Sequence, residues 1–123
     1  LELYFHDNNK FPDNALGTAV LAPKHISIIQ KDPLTQLPYP YFALLSQSGT
    51  PTACNAGQSC QYYHLGANLE YDLPGGNDVL KQDRDLYFGS APPAGDFRGS
   101  SARCQVTDPQ VPQLQDGCYD VTP

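Results

Sequence analysis

Asp7 is the first residue of the sequence whose position suggests proton transfer. It ends an N-terminal run, Leu-Glu-Leu-Tyr-Phe-His-Asp, in which apolar and polar residues alternate. In a β-strand this alternation places Leu1, Leu3 and Phe5 on one face, and Asp7 has the same parity. A carboxyl group on an apolar face loses hydration, which raises its pKa and lets it donate a proton near neutral pH. The alternative is that Asp7 ends the strand and caps the turn that follows it.

Asp96 is the second candidate acid, in the stretch Gly-Asp-Phe-Arg. Arg98 follows two residues later on the same face of an extended chain, where its charge favours the ionised form of Asp96. Two carboxyl groups whose pKa values are pushed apart can divide the roles of acid and base. We therefore predict Asp7 and Asp96 as catalytic residues. The alternative for Asp96 is an ordinary turn aspartate before a strand.

Other kinds of site have weak support in the sequence. The histidines, His6, His25 and His64, show no metal-binding spacing with a cysteine or a carboxylate. A Gly-x-Ser-x-Gly nucleophile motif and phosphate-binding glycine loops are missing from the sequence. We predict no metal site and no organic cofactor, and we expect the histidines to be solvated or satisfied by local hydrogen bonds.

The four cysteines indicate two disulfides. Cys54, Cys60, Cys104 and Cys118 do not have the spacing of a zinc ribbon or finger. Of the three connectivities we favour Cys54–Cys60 and Cys104–Cys118, because each pair closes a short loop beside glycine and polar residues. Each bridge would stabilise the fold by roughly 2–4 kcal/mol. The chain is therefore predicted to be secreted and extracellular.

Composition limits the partners. The chain has 123 residues, which suits one domain, and a net charge of −6. This acidic balance argues against nucleic acid and against an anionic membrane surface as partners. The sequence also has no apolar run of about 18 residues, so no membrane span is predicted.

Aromatic residues offer a binding surface of another kind. The chain has 8 tyrosines, 5 phenylalanines and no tryptophan. The simpler interpretation is that they fill the core and a subunit interface. The functional interpretation is an aromatic-lined cavity for a flat apolar molecule, with Phe5, Phe42, Phe88 and Arg98 as the predicted substrate-binding residues.

Short strands must position these residues. The 12 prolines and 10 glycines divide the chain into short segments, and no helical period persists. We predict strands at residues 1–7, 16–22, 24–30, 39–47, 59–71, 84–89 and 97–106. This pattern predicts an all-β fold, a small antiparallel β-barrel or a β-sandwich. The barrel domain would cover residues 1–107, and an extended tail, residues 108–123, would be tied back by Cys118.

Two segments, in this order, resemble plant dirigent proteins. Residues 1–23, LELYFHDNNKFPDNALGTAVLAP, resemble the opening of that family, whose first strand ends in Tyr-Phe-His-Asp. Residues 84–101, RDLYFGSAPPAGDFRGSS, resemble its late segment, in which a strand leads to Gly-Asp-Phe-Arg-Gly. The sequence departs from the family in its four cysteines. It also departs after the Gly-Asp-Phe segment, where the family often has Arg-Gly and this chain has SSARC, so Arg103 would have to replace that arginine in a shifted register.

The resemblance implies an antiparallel barrel of the allene oxide cyclase type, with about eight strands and often trimeric. The mouth of such a barrel binds reactive phenolic intermediates made by a separate oxidase and orients them, while acids assist ring closure. By motif, the two acids correspond to Asp7 and Asp96.

Two functions therefore remain open at this point. The first is a secreted dirigent-like barrel that binds a hydrophobic or phenolic small molecule and steers its coupling or cyclisation. The second is a non-enzymatic secreted module that binds carbohydrate, cell wall or a partner protein, or that serves as an effector or an oxidase accessory subunit. A β-sandwich that matches the dirigent motifs by chance is a third, weaker alternative.

Overall fold

The structure of the protein, a computed structural model, describes residues 1–33, 36–47, 51–68, 104 and 118–123. The regular elements are helix α1 (Glu2–Asn8), a 3₁₀ helix (Gly17–Leu21) and strands β1 (Tyr41–Ser46), β2 (Thr52–Ala53), β3 (Tyr62–Asn68) and β4 (Cys118–Val121). The strands form one antiparallel sheet in the order β2-β1-β3-β4. This β-rich arrangement agrees with the predicted all-β class. Neither helix among these residues has the length and apolar character needed to cross a bilayer.

Strands β1 and β3 form the centre of the sheet, and water is excluded from both of its faces there. Ala43 lies opposite Tyr63, and Phe42 lies opposite His64. Because side chains alternate along a strand, the first pair shares one face and the second pair shares the other. Ala43 and Tyr63 pack in the main hydrophobic core with the Cys54–Cys60 disulfide. Phe42 and His64 are also buried, which explains the continuous apolar run of β1.

The N-terminal run forms helix α1 instead of the predicted strand. Leu1 and Phe5, four residues apart, pack against the core, whereas Leu3 is 65% exposed. Tyr4, which alternation would turn outward, is buried. The helix ends at Asn9, whose left-handed backbone (φ 54°) is tolerated by asparagine and whose N–H donates to the Phe5 carbonyl at 2.7 Å. A period of 3.6 residues thus replaces a period of two, and the predicted shared face of Leu1, Leu3 and Phe5 is wrong.

Two further strand predictions are wrong. The described residues 16–22 and 24–30 contain no strand: the 3₁₀ helix occupies the first range, and turns and irregular backbone occupy the second. The physical reason for the first is a local turn, because the Asp13 carboxylate accepts hydrogen bonds from the N–H groups of Ala15 and Leu16 and so favours a turn over an extended chain. Gly17, with φ 55°, follows that turn in a left-handed conformation that favours glycine.

The central strands were predicted correctly. Strand β1 lies within the predicted range 39–47, and strand β3 lies within 59–71. The predicted strand at 84–89 lies outside the described residues, as does the one at 97–106 apart from Cys104. Strand β2, which has only two residues, was not predicted.

Both predicted disulfides are confirmed. Cys54 is bonded to Cys60, Cys104 is bonded to Cys118, and the Cα–Cα distances are 5.6 and 5.0 Å. All four cysteines are paired. The tie at Cys118 was predicted. That Cys118 and the three residues after it form strand β4 beside β3 was not predicted. Two disulfides indicate folding in an oxidising environment.

Candidate functional site

Asp7, the predicted pocket acid, lies on the exposed side of the last turn of α1. Its Oδ2 atom is 2.9 Å from Nζ of Lys24, and its Oδ1 atom is 3.4 Å from Nδ1 of His6. The hydrogen bond from Lys24 is the main reason that the pKa of Asp7 lies below its ordinary value. The prediction of an inward carboxyl group with a raised pKa is therefore wrong, because the helix turns this side chain toward solvent.

His25 joins the same surface cluster. Its side chain is only 6% exposed, and its Nδ1 atom is 4.0 Å from Oδ2 of Asp7. Its ring packs edge-on against the ring of Tyr4, with 5.2 Å between the centroids. In the part of the chain that the structure describes, no hydroxyl or thiol group hydrogen-bonds this imidazole, and no group of three or more His, Cys, Asp or Glu residues could hold a metal ion. The cluster thus fastens α1 to the turn that contains Lys24.

The predicted substrate-binding residues do not meet at one described site. Phe5 packs against Phe11 in the main core, with 4.6 Å between the ring centroids. Phe42 points to the other face of β1 and lies opposite His64, so the sheet separates it from Phe5. The remaining predicted residues, Phe88, Asp96 and Arg98, lie outside the described residues.

Asp13 is a buried carboxylate that the sequence analysis missed. Its Oδ1 atom accepts hydrogen bonds from the N–H groups of Ala15 and Leu16, each at 3.0 Å, and its Oδ2 atom accepts one from Gly57 at 3.2 Å. The hydrogen bond from Leu16 is the main reason that the pKa of Asp13 lies below its ordinary value, and those from Gly57 and Ala15 add to it. Burial alone would raise this pKa. The stretch Phe-Pro-Asp-Asn is typical of a turn in which an aspartate caps backbone groups, so the sequence did indicate that Asp13 binds backbone N–H groups nearby. Its partner Gly57 could not be foreseen, since it is 44 residues away.

The loop closed by the Cys54–Cys60 disulfide is held in one conformation from its inner side. Both cysteines are fully buried, and Asp13 binds the N–H of Gly57. Gly57 has φ 80°, a conformation that favours glycine. Within the loop the Asn55 N–H donates to Oε1 of Gln58 at 2.7 Å. Residues 55–59 are exposed, so the loop presents them to solvent in a fixed arrangement.

Uncharged polar side chains from this loop and its surroundings form a surface that we call the amide face. It consists of Asn9, Asn55, Gln58, Ser59 and Gln61, all of them exposed. Gln61 connects its parts, because Nε2 donates to Oγ of Ser59 at 3.1 Å and to the Asn9 carbonyl at 3.4 Å. Tyr62, the next residue, begins β3 and is 37% exposed. The amide face therefore joins the end of α1, the disulfide loop and the start of β3.

Four of the five residues of the amide face belong to a stretch of the chain without charged residues, and the fifth, Asn9, precedes Lys10. None of the 7 lysines and arginines and none of the 13 aspartates and glutamates falls within residues 41–69. The histidine in this range, His64, is fully buried. Beside the face, Lys10 and the buried Asp13 have opposite charges and attract each other. A surface rich in donors and acceptors but without net charge suits an uncharged polar ligand.

Comparisons of the chain with protein-family models, with curated proteins and with solved structures found no match.

Proposed function

We propose that the protein is a secreted, disulfide-stabilised β-sheet module that acts by binding a ligand and does not catalyse a reaction. The observation that carries this proposal is the loop at residues 54–60, whose residues 55–59 are exposed while the Cys54–Cys60 disulfide and Asp13 hold the loop from inside. A preorganised loop loses little conformational entropy when it binds, so more of its contact energy appears as affinity. The two disulfides support the secreted setting.

The surroundings of Asp7 favour binding over acid catalysis. A proton donor at neutral pH needs a raised pKa, whereas the Lys24 hydrogen bond lowers the pKa of Asp7. Asp7 is also exposed on a helix, so it lacks the dry surroundings that strengthen an acid's role in a pocket.

A thermal-shift screen tests the proposal. The full chain is mixed with phenolics, with fatty-acid derivatives and with soluble oligosaccharides, and each ligand is afterwards recovered and analysed by mass spectrometry. We expect one class to raise the midpoint of unfolding and to be recovered unchanged. A ligand at about one hundred times its Kd would add about 2.7 kcal/mol to the free energy of unfolding. Chemical conversion of the stabilising ligand would contradict a purely binding role.

A dirigent-like steering activity is the second candidate, and its support is the sequence resemblance at residues 1–23 and 84–101. It would require a closed barrel of about eight strands, in the family often a trimer, and a separate oxidase to supply the phenolic substrate. Because Asp7 is exposed, proton transfer would fall to Asp96 with help from Arg98. The test is product stereochemistry in the presence of an oxidase. Asp96→Asn should then remove the stereochemical preference, whereas Asp7→Asn, the matched control, should keep it.

A further inference from the structure

We propose that the amide face is a binding site for a neutral carbohydrate. This inference rests on the proposed binding function and names its surface and the chemical class of its ligand. The five residues of the face belong to the described loop and its neighbours, and none of them was singled out by the sequence analysis.

The exposed groups of the amide face match the hydrogen bonding of a sugar. A sugar hydroxyl both donates and accepts hydrogen bonds, and an Asn or Gln amide offers both functions within one planar group. Asn55 makes no side-chain hydrogen bond with the described residues, so its whole amide remains for a ligand. Gln58 uses Oε1 to hold the Asn55 backbone, which leaves its NH₂ group for the same purpose.

The amide face also contains no charged residue. The protein has a net charge of −6, yet residues 41–69 contain no Lys, Arg, Asp or Glu. An anionic ligand would meet no arginine or lysine within residues 41–69 and would be repelled by the protein as a whole, while Lys10 beside the face is attracted to Asp13. A cationic ligand would be drawn to the acidic residues elsewhere in the chain. A neutral ligand is neither repelled nor attracted by the charge of the protein, so its affinity should not depend on salt.

The composition of the amide face favours a sugar over a protein partner. The centres of protein interfaces are enriched in aromatic residues, Met and Arg. Residues 55–61 instead expose amides, a serine, an alanine and a glycine. The fixed loop conformation also suits a small rigid ligand, because the cost of ordering the loop has been met in the free protein.

The experiment titrates the full chain with soluble cello-, xylo-, manno- and chito-oligosaccharides. Oligogalacturonate serves as the anionic comparison, and binding is followed by calorimetry and by amide chemical shifts. We expect a neutral oligosaccharide to bind and to shift the amides of residues 55–61. Its affinity should be the same at low and high salt.

Substitutions then locate the site. Asn55→Ala and Gln61→Ala should each weaken binding roughly 3- to 10-fold, the loss expected when one hydrogen-bonding side chain is removed. Gln30→Ala, which removes an exposed amide outside the face, is the matched control and should change nothing. The amide spectrum of each variant, recorded without ligand, shows whether it is folded.

The inference is overturned by binding that maps outside residues 55–61, by binding of oligogalacturonate alone, or by the absence of oligosaccharide binding. If a phenolic or a protein ligand binds and is recovered without chemical change, while no oligosaccharide binds, the carbohydrate inference falls and the proposed binding function stands. If a ligand is chemically converted, the proposed function itself falls.

Discussion

The side-chain amide of Asn14 hydrogen-bonds both backbone groups of Ala43. The Ala43 N–H donates to Oδ1 of Asn14 at 2.6 Å, and Nδ2 of Asn14 donates to the Ala43 carbonyl at 3.0 Å. That carbonyl also accepts a hydrogen bond from the Cys54 N–H at 2.9 Å. Asn14 therefore does for β1 what the backbone of a neighbouring strand would do, and it ties the loop that precedes the 3₁₀ helix to the sheet.

Asn14→Ala should lower the free energy of unfolding by about 2–3 kcal/mol, because it leaves the fully buried Ala43 N–H without a partner. Urea unfolding of both proteins measures the change. Asn55→Ala, an exposed amide in the disulfide loop, is the control and should stay within about 0.5 kcal/mol of the unmodified protein. An equal effect of the two substitutions would show that the Asn14–Ala43 pair does not stabilise the fold.

Asp13→Asn should lower the free energy of unfolding near neutral pH by about 1–2 kcal/mol, because the hydrogen bonds to Ala15, Leu16 and Gly57 lose a charged acceptor. The pKa of Asp13 is lowered in the folded protein, so its stabilisation is present above the unfolded value of about 3.9 and is lost as the pH falls through the folded value. Unfolding curves between about pH 7 and pH 2.5 should therefore converge for the two proteins. A difference that is as large at the acid end as it is near neutral pH would refute this assignment.

Leu3 and Phe5 distinguish the helix from a strand at the N-terminus. Phe5→Ala should lower the free energy of unfolding by about 2–3 kcal/mol, since its ring packs on Phe11 in the core. Leu3→Ala, on the exposed side of α1, should change it by no more than about 0.5 kcal/mol. A strand would place both residues on one face and make the two losses similar, so chemical unfolding of the two variants decides between the arrangements.

Tyr41 provides a test at alkaline pH. Its hydroxyl donates to the Pro12 carbonyl at 2.7 Å, and burial, with a smaller contribution from Tyr63, raises its pKa well above the ordinary value. The resulting stabilisation is complete below the unfolded pKa of about 10 and is lost as the pH rises toward the folded value. Phenolate absorbance should therefore show that Tyr41 ionises only as the protein unfolds.

Tyr41→Phe should remove one phenol from the late step, the rise in phenolate absorbance that accompanies alkaline unfolding. It should also lower the free energy of unfolding by about 1 kcal/mol. Tyr62→Phe changes an exposed hydroxyl and serves as the stability control. The assignment of Tyr41 is incorrect if its substitution leaves the amplitude of the late step unchanged.

The parts of this fold that could be predicted from sequence are those whose determinants are close together in the chain. The pairing of Cys54 with Cys60 follows from the short loop between them, and β1 follows from the apolar run after Pro40. The N-terminal run was ambiguous because Leu1 and Phe5 satisfy both strand alternation and helical i,i+4 spacing. Asn9, a residue that tolerates the left-handed cap of a helix, was the signal in favour of the helix.

The candidate site was less predictable because its supports come from distant residues. Asp13 reaches Gly57 across 44 residues, and Asn14 reaches Ala43 across 29. Local sequence shows that both are turn residues but not which backbone they will hold. The amide face could have been suspected from one sequence property, the stretch 41–69 without charged residues, but only the structure shows that Asn9 joins it.

Asn68 lies opposite Cys118 in the β3–β4 pair, and its Oδ1 atom accepts the N–H of Cys104 at 2.7 Å. The Cys104–Cys118 bridge therefore secures β4 against the last residue of β3. Reduction would loosen β4 and uncover the β3 edge at Leu65 and Ala67, whose backbone groups could then pair with another molecule. We therefore expect this bridge to limit intermolecular strand addition as well as unfolding. The oxidised protein should remain monodisperse under conditions in which the reduced protein aggregates.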